Sequence, residues 1–336
     1  MGDTVLIANA EDGSISTLRL HQSPEPRLEV LATTPGWPGC GTFAVDAERD
    51  LVYAAAKGEP NVIATLSLDR DSGALTETAR REVPGSMTYL ALALDGRLLL
   101  GASYSGGFLS AWPVADGRLG EPHSRFEYNN LHCIIEADGA VYAPALGDDL
   151  VAQFSLGNDG QLTPLDPPTV AAPEGSGPRH IVMQGENAYL VTEFSGEVIR
   201  YSRGADGALT RQEAREFYEP EAGLSHSRFG ADPLEEHLIW GADAHLAGGL
   251  VLATERTEST LASIALDEAG HLGEVAQRIT VETQPRGFYV TADGQFAVVV
   301  GERETHASLI AISPDGTLKP VDRVPIGAGA NWVRIF

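Results

Sequence analysis

Apolar and polar positions alternate in short runs along the whole chain, and tight turns separate them. The clearest example lies between residues 177 and 201. Gly177-Pro178-Arg179-His180 opens it, Ile181 to Met183 form a short apolar stretch, and Gly185-Glu186-Asn187 makes a turn. Ala188 to Thr192 resume the apolar pattern, Ser195-Gly196 turns again, and Val198, Ile199 and Tyr201 follow before Asp206-Gly207 introduces Leu209. Short runs rich in branched and aromatic residues and bounded by glycine predict β-strands joined as hairpins.

Equivalent units recur. The turn before the last strand of each appears as Ser72-Gly73-Ala74-Leu75, Asp116-Gly117-Arg118-Leu119, Asp159-Gly160-Gln161-Leu162, Asp206-Gly207-Ala208-Leu209, Ala269-Gly270-His271-Leu272 and Asp315-Gly316-Thr317-Leu318. Glycine suits such turns because it takes positive φ without steric cost. The period is roughly 45 residues, once about 60, the range of repeats of four strands each. These observations predict an all-β chain folded as a β-propeller.

Counted outward from the channel, residues 4–9, 14–20 and 28–33 supply the second, third and fourth strands of a blade that lacks an innermost one. Residues 331–336 have strand character. Pairing this C-terminal strand with the N-terminal three closes the ring and leaves no sheet edge open. Further units fall at 41–82, 87–125, 131–170, 179–215, 242–278 and 286–324, which makes seven blades in one domain spanning 1–336. Residues 216–241, carrying Tyr218, His226, Arg228 and Trp240, are too long for a simple connection. They predict either a lid or rim loop or a surface insertion that only covers a blade.

Composition narrows the function classes. The formal net charge is -24 at pH 7, which repels phosphate and argues against nucleic-acid partners. No apolar run approaches the roughly 18 to 20 residues of a membrane helix. No basic leader precedes the first strand, and the two cysteines, Cys40 and Cys133, form no disulfide framework, so free thiols in a reducing cytoplasm are expected. Elbow, zinc-helix, Cys-x-x-Cys and phosphate-loop signatures are all missing. The chemistry left is that of positioned acids, bases and cations, with no cofactor and no metal expected.

The first two strands of each blade run antiparallel, so the start of the innermost and the end of the second share one face of the propeller. Starts carry His132, Arg179 with His180, Asp243 with His245, and Arg286. Ends carry Tyr104, Glu193, Arg256, and Glu302 with Arg303. Taken singly, each has a structural explanation: His132 as a hydrogen-bonded core histidine, Arg179 and Arg286 as struts between blades, Glu193 as their ion-pair partner. Their equivalent placement around one mouth points to a site for an anionic substrate.

Gly177-Pro178-Arg179-His180, Glu193 one hairpin later, His132 before Tyr142-Ala143-Pro144-Ala145-Leu146, Asp243-x-His245, Gln284-Pro285-Arg286-Gly287-Phe288 and Gly329-Ala330-Asn331-Trp332-Val333 span nearly the whole chain. Together they resemble the bacterial 6-phosphogluconolactonase family of the seven-bladed propeller type, to which the fungal carboxy-muconate lactonising enzymes are related. The resemblance implies metal-independent opening of a sugar lactone by a monomer or homodimer. His132, Arg179, Glu193 and Arg286 match the family's proposed active residues. Glu193 or His132 would move the proton and the arginines would bind carboxylate, phosphate or oxyanion; Tyr104, His180, Asp243, His245 and Arg256 would contact substrate. Met87-Thr88-Tyr89, Cys133 after His132, Thr192 before Glu193, and Glu302-Arg303 depart from the family pattern around the mouth, which leaves the 6-phosphate open. A muconate-type lactonising enzyme and a non-catalytic binding propeller are the alternative readings.

Overall fold

The structure, a computed structural model, describes residues 2–336. Seven antiparallel sheets form the blades. Blades 1 to 7 take their innermost strands from Ala330–Ile335, Phe43–Asp46, Tyr89–Ala93, Ile135–Ala137, Pro178–Gln184, Gly241–Ala247 and Gly287–Val290. Their second strands are Asp3–Asn9, Leu51–Ala56, Leu98–Ser103, Ala140–Ala145, Asn187–Thr192, Leu250–Glu255 and Phe296–Val300. The expected closure is present. Ala330–Ile335 pairs antiparallel with Asp3–Asn9, with Ile7 opposite Val333 and Val5 opposite Ile335. Thr4 and Phe336 exchange both backbone hydrogen bonds, at 2.9 and 3.0 Å.

The continuous apolar runs follow from where each strand sits. In Asn187–Thr192, Leu190 packs toward Cys133 and Tyr142 of blade 4, whereas Tyr189 and Val191 pack toward Ala244 and Val251 of blade 6. Both faces of an inner strand are covered, so both kinds of position are apolar. Outer strands fan apart and face water on one side, and Leu75–Val83 accordingly alternates. Each fully buried aliphatic side chain contributes about 1.5 to 3 kcal/mol.

Neighbouring blades are also fastened by a repeated polar latch. The N–H of the leucine after the turn glycine donates to a side chain of the preceding blade: Leu209 to Gln153 Oε1 (2.7 Å), Leu272 to Glu213 Oε1 (3.1 Å) and Leu318 to Gln277 Oε1 (2.6 Å). The carbonyls of Gly117, Gly207, Gly270 and Gly316 accept from the hydroxyls of Thr65, Tyr142, Tyr189 and Ser263. Gly316 sits at φ +87° and a Cβ there would come within 2.5 Å of Ala276 Cβ, so the turn can approach the next blade only as glycine. The Leu28 N–H reaches Asp322 Oδ2 at 2.7 Å and carries a similar latch from blade 7 to blade 1.

One detail differs from the sequence reading. The outer strand of blade 3 is split into Arg118–Leu119 and Ser124–Glu127, because Pro113 on Phe108–Ala115 has no N–H to offer and the outer ladder breaks beside it. Residues 217–240 fold as the 3-10 turn Pro220–Ala222 and the single helical turn Pro233–Glu236, anchored by buried Phe217, and only Trp240 reaches the mouth. Among the described residues, no helix is long and apolar enough to cross a membrane.

Candidate active site

The residue just past the second strand lines one cavity in five blades: Ala10, Lys57, Tyr104, Glu193 and Arg256. Blade 7 adds Glu302 two residues past its strand. Starts of the innermost strands supply Thr88, His132, Arg286 and Asn331. The cavity holds about 480 Å³. A wider depression of about 590 Å³, lined by Asp46, Glu48, Arg49, Asp95 and Arg97 at the opposite ends of the inner strands, has its charges paired along the surface, as in Arg49 with Asp46 at 2.7 Å. Only the mouth brings the expected residues together.

Four of the expected residues, Arg179, His180, Asp243 and His245, are not on the cavity wall but lie behind it. Strand bulges place two of the four. Arg179 is the extra residue between Pro178 and His180 where the ladder skips, and Asp243 lies in the skip between Gly241 and Ala244. A third bulge at Asn331 turns that amide toward the cavity and leaves its Oδ1 without a protein partner. A bulge adds a residue and re-aims its side chain, which simple alternation does not foresee. Lys57 and Asn331 are polar wall residues that the sequence reading does not place at the mouth. Lys57 occupies in blade 2 the place that Tyr104, Glu193 and Arg256 occupy in theirs, so the same alignment rule reaches it.

Glu193 is held by two arginines. Its Oε2 accepts from Arg179 Nε at 2.8 Å and pairs with Arg256 Nη2 at 3.2 Å. Burial would raise the Glu193 carboxyl, but Arg256, Arg179 and Arg286 outweigh it and hold the group below the usual range. The Arg256 guanidinium stacks 3.8 Å from the Trp240 ring centre. Burial weakens its hold on its proton and Glu193 opposes that. Glu255 braces the pair by accepting the N–H groups of Trp240, Thr257 and Glu258 at 2.8, 3.0 and 2.7 Å. Arg286 stands free enough to meet a ligand: it is one-third exposed and pairs with Glu302 at 3.0 Å.

His132 lies opposite this arginine-carboxylate group. Its Nδ1 is 3.1 Å from His180 Nε2, and His180 Nδ1 is 2.7 Å from Asp243 Oδ1. His245 Nε2 approaches the other Asp243 oxygen at 3.3 Å. The Tyr104 ring meets His132 edge-on at 5.7 Å. Burial, then Arg179, pulls the His132 imidazole well below its ordinary range, so it is neutral at pH 7. Cys133, its neighbour, is buried and free, with its thiol pushed up to about 12 by burial, so it is inert as a nucleophile at neutral pH. Among the described residues, no group of three or more His, Cys, Asp or Glu side chains is arranged to hold a metal ion.

The family model for lactonases described as a 7-bladed β-propeller matches residues 4–335. The chain belongs to this lactonase family. It is 30% identical over 348 residues to a 6-phosphogluconolactonase of Sodalis glossinidius, covering 100% of this chain and 99% of that one. It is 31% identical over 345 residues to a 6-phosphogluconolactonase of Pectobacterium atrosepticum, with 100% and 99% covered. Among solved structures, the periplasmic gluconolactonase of Pseudomonas aeruginosa superposes with a TM-score of 0.86 at 22% identity, covering 100% of this lactonase chain and 99% of the other. A Lactobacillus plantarum protein superposes equally well, 0.86 at 21% identity over 100% of both chains. At those identities the two structures support the fold alone.

Proposed function

We propose that this lactonase hydrolyses an anionic aldonolactone, of which 6-phosphoglucono-1,5-lactone is the leading case, and that it works in the cytoplasm. The observation that carries this reading is the pairing, across one cavity, of a neutral imidazole with fixed cations. Lys57, Arg256 and Arg286 face Glu193 and Glu302 on the wall, an excess of one positive charge by count in a chain of net charge -24. Such a local reversal of sign draws an anion to the mouth. The relatives named 6-phosphogluconolactonase and the two buried free thiols support the substrate and the compartment respectively.

His132 Nε2 takes a proton from water as the water oxygen attacks the lactone carbonyl carbon. The carbonyl electrons move to oxygen, where Arg286 meets the oxyanion. Collapse re-forms the carbonyl and breaks the bond between the acyl carbon and the ring oxygen, which takes the proton back from His132. The carboxylic acid formed loses its own proton to solvent. Glu193 is held as an anion by Arg179 and Arg256, both on its Oε2; its Oε1 accepts from water or a sugar hydroxyl and aligns it. The muconate and binding readings have no observation of their own: among the described residues, the large exposed apolar side chains are Val30 and Val321 on outer strands and Phe229 and Leu234 in the segment 217–240.

The test is proton release from a panel of phosphorylated and unphosphorylated aldonolactones, measured with a pH indicator for wild type and Glu193→Gln. Acceleration above the spontaneous rate, strongest with the phosphorylated lactone and much reduced in the variant, is the expected result. No acceleration on any lactone overturns the proposal.

A further inference from the structure

We infer that His180 and Asp243 are positioning residues that fix the proton of His132 on Nδ1, so that its Nε2 presents a lone pair to the cavity. The inference rests on the lactonase reading for its effect on rate, but not for the proton placement itself. It replaces the expectation that His180 and Asp243 touch substrate.

Donors and acceptors along the chain Asp243, His180, His132 fix where each proton sits. An ionised Asp243 carboxylate can only accept, and its Oδ1 lies 2.7 Å from His180 Nδ1, so that nitrogen carries the proton. A neutral imidazole with Nδ1–H has a bare Nε2. On the other side, Arg179 Nη1, which can only donate, approaches His180 Nε2 at 3.5 Å and favours the same tautomer. His180 Nε2 is therefore an acceptor, and the group 3.1 Å from it, His132 Nδ1, must be the donor. The remaining nitrogen of His132 is left without a proton in a residue that lines the cavity. The Ala244 N–H donates to the same Asp243 oxygen at 2.9 Å, and His245 and the Phe288 N–H approach the other, so the carboxylate cannot rotate away.

The arrangement comes from three blades. His132 opens blade 4, His180 lies on the innermost strand of blade 5 and Asp243 on that of blade 6. Tyr89 and Trp332 close on the His180 ring edge-on at 5.3 and 6.2 Å, which fixes the plane of the middle imidazole. Two imidazoles in series thus pass the direction of one carboxylate to the mouth. A carboxylate that orients one catalytic imidazole is a known device, and loss of the correct tautomer costs orders of magnitude in rate.

Selectively ¹⁵N-labelled histidine read by NMR at neutral pH tests this directly, with the His132 signals assigned by their loss in His132→Gln. Wild type is expected to show His132 protonated on Nδ1 and bare on Nε2. His180→Gln should keep that pattern, because its amide nitrogen can donate to Asp243 while its oxygen accepts from His132. His180→Phe removes the acceptor, so the His132 proton should redistribute toward Nε2, with kcat lowered about 10²- to 10⁴-fold and KM little changed. A wild-type His132 protonated on Nε2 overturns the inference, as does a folded His180→Phe with unaltered His132 signals or kcat. If His180→Phe does not fold, the wild-type and His180→Gln spectra decide. Absent lactone hydrolysis in wild type would sink the functional reading while the spectra still judge the tautomer.

Discussion

Arg179 Nε lies 2.8 Å from Glu193 Oε2, and the guanidinium side chain is 1% exposed where the carboxylate is 15% exposed. The cation is wholly desolvated while its partner opens on the cavity, so the anion is at once a structural counter-charge and a surface of the site. Glu193→Ala strands Arg179 and Arg256 and should cost about 3 to 5 kcal/mol by urea denaturation. Glu193→Gln keeps an acceptor for Arg179, so it should destabilise less while still lowering kcat by at least about 10²-fold. Equal stability losses in the two variants would show that the carboxylate charge is not what the arginines require.

Arg286 is placed to meet charge that develops during reaction. Its pair with Glu302 is partly exposed, so Arg286→Ala should change stability by no more than about 1 kcal/mol. Loss of one oxyanion donor should lower kcat by about 10²- to 10³-fold. Steady-state kinetics beside a denaturation curve separate the two effects, and a KM change without a kcat change would make Arg286 a binding group only.

Lys57 is one of two lysines, the other being Lys319, and it stands on the cavity wall without an ion-pair partner among the described residues. Lys57→Met should raise KM for a phosphorylated lactone by roughly 10-fold, the equivalent of about 1.4 kcal/mol, and leave the unphosphorylated one unchanged. An equal rise for both lactones would remove Lys57 from phosphate recognition.

Acid should loosen the fold before it titrates the buried carboxylates. Burial pulls the His180 imidazole down to about 4, against the opposing pull of Asp243, while the unfolded residue titrates near 6.5. Between those values the unfolded chain binds the extra proton, so stability is full above about pH 6.5 and falls as pH drops toward 4. His180 alone accounts for on the order of 3 kcal/mol, and His132 acts in the same direction. Denaturation midpoints followed from pH 7.5 to 4.5 check this, and His180→Phe should flatten the curve.

Trp332 is 4% exposed, donates its Nε1–H to the Phe43 carbonyl at 2.9 Å and meets the Tyr89 ring edge-on at 4.8 Å. It therefore joins the closing strand to blades 2 and 3. Trp332→Ala should cost about 3 to 5 kcal/mol, measured by urea unfolding.

Much of this was readable in advance because it depends on local chemistry. Gly207 and Gly316 mark their turns because φ values of +85° and +87° are ones that side-chain-bearing residues rarely adopt. Alignment on the inner hairpins placed Tyr104, His132, Glu193, Arg256 and Arg286 at one end, because antiparallel pairing dictates it. What escaped depends on pairing between strands. The bulges at Arg179, Asp243 and Asn331 decide which side chains face the cavity, and an extra residue in one strand is visible only against its partner. For that reason Arg179 and Asp243, which the alignment puts on the wall, lie behind it. Lys57 obeys the same rule as Glu193, but a lysine after an alanine-rich strand has the pattern of an ordinary solvated end.

The latch joining Leu209 to Gln153, Leu272 to Glu213 and Leu318 to Gln277 also joins Leu28 to Asp322, residues almost a whole chain apart. Blade 1, which holds both ends of the chain, is thus fastened to blade 7 as blades 5, 6 and 7 are to their predecessors. A site whose walls come from a ring tied in this way behaves as a socket rather than a jaw. Substrate choice is then expected to follow from the shape and charge of the standing walls, and product release to show no separate opening step in pre-steady-state kinetics.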